Sequence, residues 1–140
     1  MVESMDGPMV MVERLQRATN AHDIDALVAC FAEEYENVTP VHPARGFRGR
    51  DQVRRNWEQI FANVSDLRAE ILGHAVDGDT AWTEWEMRGT RPDGSAHLMR
   101  GVIVFGVHDG VARSARFYLE PVDEATTTVD DAVRNQVGRT

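Results

Sequence analysis

From Pro8 onward the chain shows a helical hydrophobic period. Met11, Leu15 and Ala18 recur at spacings of four and three, and Gly7-Pro8 supplies a start at which the missing N–H of Pro8 is harmless. This predicts a first amphipathic helix over residues 8–20. Asn20-Ala21-His22 interrupts it, and Asp23 is placed to cap a second, short helix through Ile24, Leu27, Val28 and Phe31. Tyr35 to Val41 alternates loosely and meets Pro40 and Pro43, which predicts a short strand and then an irregular segment as far as Gly49. Asp51 opens a third helix with Val53, Trp57, Ile60, Phe61 and Val64 on one stripe.

After Ser65 the period becomes two. Strands are predicted over Leu67 to Val76, Thr80 to Thr90, Ala96 to Val107 and Val111 to Val122, joined by turns at Asp77-Gly78-Asp79, Arg91-Pro92-Asp93-Gly94 and His108-Asp109-Gly110. Helices first and a meander of long hairpins afterwards imply an α+β domain, its helices packed on one face of a curved antiparallel sheet. The reading divides the chain into a flexible N-terminus (1–7), one domain (8–122) and a polar tail (123–140) with a weak helix at Val129 to Val137. Composition favours disorder for that tail over a cover for a pocket mouth.

Composition narrows the chemistry. A chain of 140 residues, 42% hydrophobic, has enough length for a core without metal or disulfide staples. Its 23 acidic against 15 basic residues, with the basic ones scattered, argue against a nucleic-acid ligand. All of the basic residues are arginine, so no lysine Schiff base can form. Cys30 stands alone, which excludes an intrachain disulfide and any multi-cysteine metal site and suits a reducing cytoplasm. Glu3 and Asp6 near the start, and the lack of a run of about 18 apolar residues, predict neither an export signal nor a membrane span.

Four segments carry a resemblance: Asn20-Ala21-His22-Asp23-Ile24-Asp25-Ala26-Leu27, Pro40, Phe47-Arg48-Gly49-Arg50-Asp51-Gln52-Val53, and Asp109-Gly110-Val111-Ala112 leading to Arg116-Phe117-Tyr118-Leu119-Glu120-Pro121. In order and spacing they resemble the nuclear transport factor 2-like superfamily, and within it the SnoaL-like branch. The resemblance implies a cone formed by a bent sheet around helices, a deep pocket and, commonly, a homodimer through the outer sheet face. Relatives include ketosteroid isomerases, limonene-epoxide hydrolase, polyketide cyclases, dehydratases and non-catalytic binders, so fold alone does not decide function.

Carried over residue by residue, the isomerase set of tyrosine, base and oxyanion-hole acid falls on Leu15, Thr39 and near Ile103. The epoxide hydrolase Asp-Arg-Asp set falls on Trp85, Met87 and Phe117, whereas Tyr35-Glu36-Asn37 matches that enzyme's Tyr-x-Asn. The same alignment with period two turns Thr83, Trp85, Met87, His97, Met99, Ile103, Ala115, Phe117 and Leu119 toward the pocket. Trp82, Glu84, Glu86, Arg88, Arg100, Arg116, Tyr118 and Glu120 then face outward, a mixture that suits an isologous dimer.

Tyr35, Asn37 and His97 are the candidates to position or move protons. His97 has a plainer reading as a wet residue at the mouth. Thr39, His42, Trp57 and Phe61 join the expected lining, with His42 reaching over the entrance or decorating its loop. Glu84 and Glu86 would turn inward only if a bulge shifted the strand. Glu120 is expected to anchor the sheet edge or the dimer. His22, Asp23 and Asp25 resemble a metal cluster, but Asp23 is better placed as a helix cap and no second histidine lies at ligand spacing. The expected ligand is a small hydrophobic molecule of polycyclic or terpenoid size, taken without cofactor or metal. The expected reaction, if there is one, is acid/base isomerisation, cyclisation, dehydration or epoxide hydrolysis. A non-catalytic binder or a protein-association module is the alternative.

Overall fold

A computed structural model describes residues 7–138. The expected flexible N-terminus therefore lies, Gly7 apart, outside the described residues. Helix α1 spans Pro8–Ala21 and α2 spans Ile24–Val28; β1 is Phe31–Val38, β2 is Phe47–Arg48 and α3 is Arg50–Asn63. The meander follows as β3 (Arg68–Asp77), β4 (Thr80–Thr90), β5 (Ala96–His108) and β6 (Val111–Pro121), and the chain continues through a nonregular stretch to α4 (Val129–Val137). All ten residues of the first sheet hairpin's leading strand lie within one residue of the predicted bounds, because period two is easy to place when turns flank it.

The early elements differ from expectation in the bounds of β1, which runs Phe31–Val38, and in the two-residue strand β2 within the segment expected to be irregular. Phe31 does not close α2 but opens β1, four residues ahead of the predicted strand start at Tyr35. Asp23 accepts a hydrogen bond from the Ala26 N–H at 3.1 Å and caps α2, but the helix stops at Val28. The backbone N–H of Ala112 on β6 then bonds the Cys30 carbonyl at 2.8 Å, which draws the following residues into the sheet.

The strands form one sheet in the order β2-β1-β6-β5-β4-β3, in which β1 runs parallel to β6 and every other pair is antiparallel. Helix α1 lies across β3 to β5 and buries Met11, Val12, Leu15 and Ala18. It also closes the edge of the sheet. Asn20 accepts from the Ala69 N–H at 2.7 Å and donates to the Ala69 carbonyl at 3.0 Å, occupying the place of a neighbouring strand. His22 bonds the carbonyl of Leu67, two residues before Ala69, at 2.9 Å. An edge satisfied by side chains does not invite another strand.

Sheet parity follows the alternation. Thr83, Trp85 and Met87 pair across to Ile103, Gly101 and Met99, and all of these positions face the helices. Glu84 and Glu86 stay on the outer face. The bulge in this hairpin falls on β3 between Ile71 and Gly73, so β4 keeps its phase. Glu86 is buried between Arg88 and Arg100, whose guanidinium groups hold its carboxyl below the usual range by hydrogen bonding. Half-exposed on the same face, Trp82 carries the Arg116 guanidinium 5.5 Å above its ring centroid.

Gly101 occupies the tightest crossing. Its φ is +149°, and a Cβ there would sit 2.1 Å from the Tyr118 carbonyl oxygen on β6. Its cross-strand neighbours are Trp85 and Leu119, two large side chains flanking a position with none. Gly94, by contrast, has φ +87° with open space around it. We expect Gly101→Ala to cost roughly 3 kcal/mol or more of stability, from backbone strain and backbone overlap together. Gly94→Ala should cost about 1 kcal/mol, from the left-handed conformation alone. Urea denaturation of the two variants checks this, and equal losses would remove the special role of Gly101.

Candidate ligand-binding site

Between the sheet and α3 lies a cavity of about 300 Å³. Its walls come from β1, the β2 arm, α3 and the ends of β4 to β6. Tyr35 and Asn37 alternate onto its face from β1, as residues two apart on a strand must. Gly49, at the start of α3, donates its N–H to the Tyr35 carbonyl at 2.7 Å, which ties the helix start to this strand.

The Tyr35 hydroxyl donates to Asn37 Oδ1 at 2.6 Å, and Tyr35 is 1% exposed. Phe31 stacks edge-on at 4.8 Å and Phe47 at 6.1 Å, so the phenol is held in an aromatic collar. Burial pushes its pKa up, which keeps the proton on the oxygen and makes Tyr35 a donor rather than a base. With its carbonyl occupied, Asn37 makes no hydrogen bond from Nδ2 among the described residues. No buried side-chain polar atom is left unsatisfied there, so that amide reaches open space, and Asn37 lines both this cavity and a second groove beside Pro40, Pro43 and Arg48.

Of the residues expected from the sequence, Tyr35, Asn37, Thr39, Trp57, Met87, His97, Met99, Phe117 and Leu119 line this cavity together. Others do not. Thr83 and Trp85 point the expected way but lie deeper, each 1% exposed, with the Trp85 indole N–H donating to Thr83 Oγ1 at 2.7 Å and Thr83 donating to the Ile103 carbonyl at 2.6 Å. Their polar groups are fully used, and Ile103 is core beside them at 2%. Ala115 is likewise core. Phe61 turns away from the cavity to stack on His22, with ring centroids 4.4 Å apart. His42 does not line the cavity; its Nε2 lies 3.2 Å from Glu120 Oε2. That glutamate, next to last in β6 and still paired with Arg100 of β5, is also part of the cavity lining.

Several lining residues were not anticipated: Arg45 from a short 3-10 turn, Phe31 and Phe47 around the tyrosine, Leu67, and Val53, Asn56 and Ile60 from α3. Asn56 had a visible signal. It sits in the apolar stripe Val53, Trp57, Ile60 at i+3, where an amide is out of place unless it faces something polar. Among the described residues no group of three or more His, Cys, Asp or Glu side chains could hold a metal ion, and no helix is long and apolar enough to cross a membrane.

His97 stands at the rim, since it lines both the cavity and a surface groove beside Thr90 and Leu98. Burial and then the nearby Arg91 charge hold its pKa below the ordinary histidine value. The imidazole is therefore neutral at pH 7. In the window between its depressed pKa and the ordinary value the unfolded chain binds more protons, so this residue makes stability rise with pH there. Titration of the ring protons by NMR should give a pKa under 6.5, moving upward in Arg91→Gln. A pKa at or above the ordinary value would contradict the placement.

Residues 12–115 match the family model for the SnoaL-like domain. Among solved structures, RV0760c from Mycobacterium tuberculosis, in complex with estradiol-17beta-hemisuccinate, superposes with a TM-score of 0.69 at 18% identity, covering 80% of this chain and 93% of that one. IdmH, a candidate polyketide cyclase from Streptomyces antibioticus, gives 0.69 at 20% identity over 80% and 91%. A candidate ketosteroid isomerase from Kribbella flavida gives 0.67 at 16% over 95% and 88%. Among curated proteins none matches the sequence.

Proposed function

The chain belongs to the SnoaL-like family, and from that premise we propose that its cavity binds a small apolar molecule through one hydrogen-bond acceptor, a carbonyl or hydroxyl oxygen docked on Asn37 Nδ2. The observation that carries this reading is the Tyr35–Asn37 pair: the phenol occupies the amide's acceptor and leaves its donor available beside a largely apolar chamber. A volume of about 300 Å³ suits a molecule of three or four fused rings. The relative from Mycobacterium tuberculosis, crystallised with a steroid ester, supports that size class.

One observation favours a second reading, proton transfer on the bound molecule. His97 is neutral and at the rim, so it has the protonation state a base needs. Among the described residues no carboxylate stands in the depth of the cavity: the positions matched to the isomerase set hold Leu15, Thr39 and Ile103. Binding is accordingly the primary reading.

Calorimetric titration of estrone, a polycyclic ketone, should show binding with a negative heat-capacity change, weakened about five- to tenfold in Asn37→Ala, the equivalent of one hydrogen bond. The absence of binding, or a variant indistinguishable from wild type, would overturn the reading. Deuterium uptake beside the ketone, if present and lost in His97→Ala, selects catalysis; binding without uptake selects a carrier.

We further propose that the outer sheet face joins two copies of the chain. Half-exposed Trp82 and Tyr118 stand there among charges of both signs, and a two-fold axis would set the Glu84 carboxylate against an arginine of the other copy. Sedimentation should give a dimer for the intact chain and a monomer for Trp82→Glu. A monomeric wild type at micromolar concentration would refute this.

A further inference from the structure

The free hydrogen-bonding groups of the cavity are unevenly divided between donors and acceptors. Besides Asn37, a second asparagine faces it with its acceptor already taken. Arg55 donates to Gln52 Oε1 at 2.6 Å, which obliges the Gln52 amide to donate, and it does so to Asn56 Oδ1 at 2.8 Å. An arginine has only donors, so this relay fixes the orientation of both amides. Asn56 Nδ2 is left without an acceptor among the described residues.

Arg45 completes the set. It is an exposed residue of the cavity lining, and its side chain makes no ion pair or hydrogen bond with any other described residue. Most other arginines are engaged: Arg48 with Glu36, Arg54 with Asp25, Arg88 and Arg100 with Glu86, Arg113 with Glu34. Among the described residues Glu120 is the only carboxylate lining the cavity, and His42 holds it at 3.2 Å. Thr39 can donate or accept, and neutral His97 brings one of each. Arg45 is solvent-exposed, so a carboxylate reaching it would exchange a guanidinium–water contact for a charge-assisted hydrogen bond.

We propose that the ligand of this cavity is an amphiphilic monocarboxylate, its apolar body against Trp57 and Met99, an acceptor within reach of Asn37 or Asn56, and its carboxylate on Arg45. A guanidinium fork matches a planar carboxylate bidentately. A dianionic phosphate fits less well, because Glu120 holds negative charge on the same cavity. The proposal rests on the cavity being a ligand site, and it adds the charge of what fills it.

The test compares decanoate with 1-decanol, two probes alike in chain and different in charge, by calorimetry on the full chain at low ionic strength. Wild type should bind decanoate about tenfold or more tighter than decanol, the scale of a hydrogen bond to a charged group. Arg45→Gln should abolish that preference, decanoate losing about tenfold more affinity than decanol, whereas a merely structural role would weaken both probes alike. Asn56→Asp, which places a negative charge on the cavity, should also weaken decanoate selectively. Equal affinities in wild type, or a preference that survives Arg45→Gln, overturns the carboxylate and leaves the cavity reading standing. If neither probe binds and estrone does not bind, the cavity reading itself has failed.

Discussion

The close crossing of β5 over β6 at Gly101 is the constraint on which the rest of the structure depends. A sheet that must enclose helices has to curl, and here one strand gives up its side chain so that Trp85 and Leu119 can flank the same point. The helix-facing side of the sheet then divides by depth. Around Thr83, Trp85 and Ile103 it is filled, and every polar atom is consumed by the Trp85–Thr83–Ile103 chain of hydrogen bonds. Toward Met87, Met99 and Phe117 it is not filled, and the cavity occupies the difference.

What gives that cavity chemical character is the way its polar groups are used. Tyr35 spends its proton on Asn37, and Gln52 spends its amide on Asn56. Both asparagines thus turn from groups that both donate and accept into fixed donors, oriented before any ligand arrives. Preset donors reduce the ordering that binding must impose. The carboxylates are engaged: Glu86 by two arginines on the far face, and Glu120, on the cavity, by His42. A chamber built this way recognises an oxygen more readily than it transfers a proton.

Much of the fold was legible in the sequence because each signal has one local cause. Period two with Asp-Gly turns placed the hairpins, and at Asp109-Gly110 both residues take positive φ, as a tight hairpin requires. Asn20-Ala21-His22-Asp23 was read as a landmark, and its physical content proves to be structural: a side chain pairing with the β3 edge, a left-handed helix end at His22 and a helix cap. The site was legible only in part. Alternation tells which face a residue occupies but not how deep it lies, so Thr83, Trp85 and Ile103 were placed with the lining although they are core. Phe61 lies on the predicted stripe, but a stripe spans more than one neighbour, and His22 claims this ring. Arg45 sits in a nonregular segment with no period to report its direction, whereas Asn56 interrupts an apolar stripe and was open to notice.

The central claim, that Asn37 presents its amide to an oxygen of an apolar ligand, is tested most directly by a crystal structure of the protein with estrone. The account predicts the steroid inside the cavity with an oxygen within about 3.2 Å of Asn37 Nδ2 and the Tyr35–Asn37 bond intact. A steroid bound outside the cavity, or inside with Asn37 still unpaired, would contradict it.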